Sequence, residues 1–248
     1  MIETRAFNVV YQPIVDIGGS GDEGSTVGYE ALSRFAEGSP PAWFSAAARA
    51  GLRVGLELTA IRSAIAGFQS APKRAYLALN SSLETLCSPF LLDSLDGITP
   101  TRVVLELPED TVIERYEQTK VHIDRLVDRG YRLAMDDLAR GRIDLWHLVR
   151  LRPSIIKIDL SMIRDVDVDP SKQSLVRGLK LLGEVLRAQV VAEGIERPGE
   201  LEFLQHLGVQ FGQGYLLGRP GPLATVEPRR SANHRQRDLR GRLSRGRR

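Results

Sequence analysis

The chain has a single cysteine, Cys87. That excludes an internal disulfide and a cysteine-based zinc site, and it removes any need for an oxidising compartment. Nowhere do eighteen apolar residues run together, so the sequence offers no membrane-spanning helix. The opening residues Met1-Ile2-Glu3-Thr4-Arg5 lack the basic-then-apolar pattern of a secretory signal. Together these absences set the expectation of a cytoplasmic protein. No internal repeat is visible either.

Apolar residues are nearly missing from one stretch only. Residues 227–248 hold nine arginines against Glu227 and Asp238, a net charge of +7, so the +3 of the whole chain hides a body at −4. Such a segment cannot bury enough surface to fold, and it reads as a disordered basic tail. It is either a solvated terminus or a weak contact for nucleic acid or an anionic surface. The expected organisation is one domain over residues 1–226 followed by this tail. With 248 residues, 42% of them hydrophobic, there is material for one large core, and α/β barrels commonly reach this length as one unit.

What the body does contain is a succession of short apolar runs, each ending on a polar group. Tyr76–Leu79 ends at Asn80, Val103–Leu105 at Glu106, and Leu133–Met135 at Asp136-Asp137. Ile155-Ile156 reaches Lys157, with Asp159 two positions on; Gln189–Ala192 ends at Glu193, and Val209–Phe211 leads to Gln213. Helix-like stretches lie between most of them: Pro40 to Ala50, Glu57 to Phe68, Thr111 to Arg129, a segment capped by Ser171 or Asp169-Pro170 through Ala188, and Pro198 to Leu207. Strands alternating with helices imply a parallel sheet, whose chemistry gathers at the carboxyl ends of the strands. Phe7–Val15 and Thr26–Leu32 add two more strands. The turn-rich stretch around Gly18–Gly24 between them reads as a hairpin loop, so this pair is expected to be antiparallel. The fold class expected is α/β, a modified TIM (β/α)8 barrel with an antiparallel first strand.

Each polar strand end has an ordinary alternative. Glu30, in the second strand, is costly to bury unless paired or metal-bound, and Arg34 could pair with it. Asp136-Asp137 could be a helix cap with a first-turn acid. Lys157 sits in a run too apolar for a solvated lysine and could pair with Asp159, which strand alternation puts on the same face. Asn80 alone could be a turn residue. Taken together, four carboxylate-bearing strand ends point to one polyanionic site that needs cations. Oxygen donors without cysteine or histidine select magnesium, manganese or calcium over zinc. Two such metals about 3.5–4 Å apart would suit in-line displacement at a phosphodiester.

These residues resemble the EAL family of cyclic di-GMP phosphodiesterases over about residues 9 to 222. The opening segment is Tyr11-Gln12-Pro13-Ile14-Val15, and the name-giving motif is Glu30-Ala31-Leu32 followed by Ser33-Arg34-Phe35. Asn80-Ser81-Ser82, Leu105-Glu106-Leu107-Pro108-Glu109, Asp136-Asp137, Ile156-Lys157-Ile158-Asp159, Ala192-Glu193-Gly194-Ile195-Glu196 and Gln213-Gly214-Tyr215 follow in order. The resemblance implies that Glu30, Asn80, Glu106, Asp136, Asp137 and Glu193 hold two magnesium or manganese ions. Lys157 would position or activate the attacking water, and Glu30 would share in catalysis. Arg34 would bind a substrate phosphate, and Gln12 would lie in the guanine region. Glu109, Asp159, Glu196 and Gln213 would stand behind the ligands, Gln213 holding a water. Cyclic di-GMP would be cut to linear pGpG, and homodimerisation through helices beside the active face is implied.

One segment departs from the family pattern. Where the family usually has Phe-Gly-Thr-Gly-Tyr-Ser-Ser, this chain has Leu138-Ala139-Arg140-Gly141-Arg142-Ile143-Asp144. Two arginines beside a cation site oppose metal or bind substrate phosphate, and alanine for glycine narrows the backbone. The expectation is an enzyme whose activity the loop 138–144 reduces or makes metal-selective, with a cyclic di-GMP sensor or protein-interaction regulator as the alternative.

Overall fold

The computed structural model describes residues 7–18, 24–108, 116–138 and 145–223, without the side chains at 116, 118, 137, 138, 145 and 147. Eight strands close into a barrel in chain order: β1 (Phe7–Asp16), β2 (Thr26–Phe35), β3 (Tyr76–Asn80), β4 (Val103–Pro108), β5 (Arg132–Leu138), β6 (Ile155–Ile158), β7 (Gln189–Ala192) and β8 (Phe211–Gly212). β1 runs antiparallel to both its neighbours, β2 and β8, and every other neighbouring pair is parallel. The antiparallel first strand read from the sequence is therefore present. β1 and β2 are each longer than expected, and β8 begins later and holds only two residues.

The helices among the described residues are α1 (Pro40–Arg49), α2 (Arg53–Gly67), α3 (Leu83–Leu86), α4 (Leu91–Ser94), α5 (Tyr116–Asp128), α6 (Leu145–Leu151), α7 (Leu160–Ile163), α8 (Pro170–Leu186) and α9 (Pro198–Leu207). α2 begins four residues before the expected Glu57. The two caps proposed for α8 resolve to Asp169, whose carboxylate accepts from the N–H groups of Ser171 and Lys172, with Pro170 in the first turn. No helix among the described residues is long and apolar enough to cross a membrane. The expected tail, residues 227–248, lies outside the described residues.

Strand alternation sorts the core into two parts. Leu77, Leu79, Val103, Leu105, Leu107, Met135, Ile156, Ile158 and Val190 face outward and pack with the helices. Ile14, Tyr76, Ala78, Val104, Ala134, Ile155 and Val191 fill the barrel interior. Both faces of each parallel strand are buried, which is why the sequence shows unbroken apolar runs rather than alternation. Tyr76 occupies so much of the interior that a Cβ on Gly28 would lie 2.6 Å from its ring. The next inward layer above this packed floor is polar.

Candidate active site

On β3 to β7 the position two residues beyond an interior apolar residue carries a candidate site side chain: Asn80, Glu106, Asp136, Lys157 and Glu193 follow Ala78, Val104, Ala134, Ile155 and Val191. On β4, Val104 faces in and so does Glu106; β6 repeats this with Ile155 and Lys157. Register brings the layer together, since Asn80 pairs with Glu106 and Gln12 with Glu30. Lys157 is 1% exposed. Its Nζ lies 2.8 Å from Glu193 Oε1, 2.9 Å from Glu106 Oε1, 3.1 Å from Asp136 Oδ1 and 3.7 Å from Glu30 Oε2. Four strands thus deliver carboxylates to one ammonium group.

The electrostatics follow from burial and proximity. Burial pushes the Glu106 carboxyl well above its ordinary value, and Glu30, Asp136 and Glu193 add to that, against Lys157. Burial also raises Glu193, to about 8, with Lys157 again opposing and Asp136 and Glu30 assisting. For Lys157 burial acts downward, but Glu106, Glu193, Glu30 and Asp136 together outweigh it and hold the ammonium well above the usual lysine range.

Glu30 is fixed at both oxygens. Oε1 accepts from Asn80 Nδ2 at 2.8 Å, and Oε2 accepts from Gln213 Nε2 at 2.7 Å. The ion pair with Arg34 considered from sequence gives way to Lys157, while Arg34 is exposed and its Nη1 donates to the Ser33 carbonyl. Asp159 lies past the end of β6, so strand alternation no longer governs it; it caps α7, accepting from the Ser161 N–H at 2.9 Å. Glu196 is exposed, and its main-chain N–H donates to Glu200. The backbone of Asp137 belongs to β5, but its side chain, Glu109 and residues 139–144 of the altered loop lie outside the described residues. Gln213 is held in place by close backbone contact: a Cβ on Gly214 would sit 2.2 Å from the Ile195 carbonyl oxygen, so only glycine fits there.

One participant escaped sequence reasoning. Glu57 on α2 is buried, and its Oε2 accepts from both the N–H and the hydroxyl of Ser82 at 2.8 Å. It lines a cavity of about 400 Å³ that opens beside Glu30 and Asn80, with Arg34, Pro40, Phe44 and Ile61 in its wall. The sequence signal was a lone acid on the apolar face of a helix, which periodicity by itself does not separate from a surface residue.

The donor set suits a hard cation. Glu106 Oε2 is buried with no hydrogen-bond partner, and Asp136 Oδ1, also buried, has its ion pair with Lys157 at 3.1 Å but no hydrogen bond. A buried carboxylate oxygen such as Glu106 Oε2, left without a partner, is costly, and a divalent cation would satisfy it. Among the described residues no three acidic, histidine or cysteine groups already form a cation site; the carboxylates instead close around the ammonium.

Comparison with known proteins now decides the family. The EAL domain family model matches residues 1–220. The chain belongs to the EAL domain family. It is 32% identical over 152 residues to the bifunctional diguanylate cyclase/cyclic di-GMP phosphodiesterase MucR of Pseudomonas aeruginosa, covering 59% of this chain and 22% of that protein. The solved PaMucR phosphodiesterase, a c-di-GMP complex, superposes with a TM-score of 0.80 at 28% identity over 89% of this chain and 94% of that one. The Klebsiella pneumoniae BlrP1 calcium/cy-diGMP complex gives a TM-score of 0.81 at 31% identity, covering 90% of this chain and 58% of that one. This EAL chain spans between 17% and 33% of the length of three curated relatives it matches.

Proposed function

We propose that this EAL chain is a divalent-metal-dependent phosphodiesterase that hydrolyses cyclic di-GMP to linear pGpG. The observation that carries the reading is the convergence of Glu30, Glu106, Asp136 and Glu193 on Lys157 at the carboxyl mouth of the barrel. Solved relatives bearing c-di-GMP support the substrate, and relatives crystallised with calcium or manganese support the metal. Glu30, Asn80, Glu106, Asp136, Asp137 and Glu193 would hold two magnesium or manganese ions, which would supply Lewis acidity and an activated water for in-line attack at phosphorus.

The chain's own groups do the rest. Asn80 and Gln213 set the plane of the Glu30 carboxylate. Lys157 keeps its proton among the carboxylates and acts as a donor, orienting a water or a phosphoryl oxygen. The 400 Å³ cavity offers apolar walls to a purine, and Arg34 at its rim offers a guanidinium to a phosphate. A homodimer belongs to the same reading: Trp146 and Val149 are exposed on α6, and sedimentation of the purified chain reports its stoichiometry.

A second reading, a cyclic di-GMP receptor with slow turnover, rests on Arg140 and Arg142 in the loop 138–144. One assay separates the two. The protein is incubated with cyclic di-GMP and magnesium or manganese, with Lys157→Ala as control, and the products are resolved by chromatography. Linear pGpG from the wild type alone is expected. No product with either metal, together with nucleotide binding, would defeat the phosphodiesterase and leave the receptor.

A further inference from the structure

We propose that α1 and the residues that follow it, through Trp43 and Leu52, are a docking face for an anionic membrane surface, on which the chain lies without crossing it. None of the ten residues of α1 is buried, and Ala50, Gly51 and Leu52 after it are exposed. Trp43 is 45% exposed and Leu52 55%. Residues 38–52 carry one charge, Arg49, and are otherwise proline, alanine, glycine, serine and large apolar side chains. A lone exposed leucine is ordinary, but an apolar helix with no buried residue marks an interaction surface.

The patch is held in shape from behind. Trp43 stacks on Phe35 with ring centroids 5.2 Å apart and planes 12° apart, and Phe35 meets Phe7 at 5.5 Å and Phe44 at 6.0 Å. The Trp43 indole N–H already donates to the Glu37 carbonyl. The ring can therefore enter a headgroup layer without leaving a buried donor unpaired. Pro40, Pro41 and Phe44 wall the cavity beside Glu30, whereas Trp43 and Leu52 do not line it.

Charge complements the apolar face. Between Ala31 and Leu56, Arg34, Arg49 and Arg53 stand against Glu37 alone, a net +2 on a body that is negative as a whole. Residues 227–248, at +7, follow from the same corner of the fold. Gly221 bridges Tyr11 on β1, and Phe7 lies four residues along that strand, a rise of about 14 Å. Binding of an interfacial helix scales with the apolar area it inserts plus the attraction of basic residues to anionic lipid, and both terms are present here. A nucleic acid would answer the arginines but not Leu52 or the apolar helix; an anionic headgroup over acyl chains answers both.

The test is co-sedimentation of the full chain with phosphatidylglycerol vesicles and with phosphatidylcholine vesicles. Binding to the first is expected, at least about tenfold tighter than to the second. Trp43→Ser combined with Leu52→Ser should weaken it by about tenfold or more. In a Trp146→Phe background Trp43 is the only tryptophan, and brominated phosphatidylglycerol should quench its emission. No sedimentation with phosphatidylglycerol, equal binding to the two lipids, or undiminished binding of the double variant overturns the proposal. Where the double variant does not fold, quenching decides: unquenched Trp43 on vesicles that carry the protein places the contact in the arginines alone and overturns it. A chain that binds single-stranded RNA but ignores phosphatidylglycerol overturns it too, and gives the arginines to nucleic acid. None of these readouts needs nucleotide turnover, so they stand apart from the phosphodiesterase reading.

Discussion

Replacing Lys157 by methionine tests the electrostatic logic of the barrel mouth. The substitution keeps the volume of the stem and removes the charge from among four carboxylates at 2.8 to 3.7 Å. Each pair at roughly 3 Å interacts by about 5 kcal/mol at an effective dielectric near 20, before desolvation is subtracted. Deleting one partner of a buried ion pair costs about 3–5 kcal/mol, because the other is left uncompensated. For a chain of this size about 1 kcal/mol moves Tm by roughly 2–4 °C, so a fall of roughly 6–20 °C is expected. The measurement is scanning calorimetry in chelator, repeated with excess Mn2+. The cation should raise the melting temperature of Lys157→Met more than that of the wild type, since it supplies the missing positive charge. The pH trend has a definite sign. Acids whose folded pKa lies above the unfolded value cost stability as pH rises, and Glu106 and Glu193 are already raised. Without Lys157 they rise further, so the deficit should widen from pH 6 to pH 9. Equal melting of variant and wild type in chelator, or an equal gain on adding Mn2+, would refute the reasoning.

Two further perturbations probe the frame around the site. Glu200 is buried and, although burial opposes it, accepts from the N–H groups of Glu196, Asp165 and Arg197 and from the Arg197 guanidinium, which together hold its carboxyl below the ordinary value. A depressed folded pKa gives stability that is present above the unfolded pKa and lost as pH falls through the folded one. Glu200→Gln should therefore cost about 2 kcal/mol at pH 7 and much less near pH 3, by urea unfolding; a pH-independent cost would contradict this. Gly28→Ala places a methyl 2.6 Å from the Tyr76 ring, and should cost about 1–3 kcal/mol by overpacking. Combining it with Tyr76→Leu should recover most of that loss, and a purely additive double variant would show that the ring is not the obstacle.

The site was legible wherever chemistry and periodicity coincided. An acid or a lysine closing an apolar run of a parallel strand has to face the barrel mouth, so Glu106, Asp136, Lys157 and Glu193 could be read together. The hairpin of β1 and β2 was readable from the turn-rich residues between them. Features set by tertiary contact were not. Glu57 gains its place through Ser82, a neighbour only after α2 folds over β3. Asp159 looked like a strand residue because β6 and the α7 cap adjoin without a break. β8 is short because its ladders to β7 and β1 each run over two pairs, which no local pattern foretells. Gln12 was legible by resemblance, whereas its bonds to Gly218 and Gln213, some two hundred residues away, are set by tertiary contact.

The meeting of β1 with β8 has a consequence for how the barrel stays shut. The ladder there pairs Val15 with Gly212 and Asp16 with Phe211, and the N–H groups of Ile17 and Gly18 donate to the Gln210 carbonyl at its other end. Toward the active face the ladder stops, and the stitch is continued by side chains and strap: Gln12 to Gln213, then Tyr11 to Gly221. The polar residues along this seam are fasteners as well as donors. Because Gln213 bonds both Gln12 on β1 and Glu30 on β2, the same side chain that fastens the seam also holds the Glu30 carboxylate.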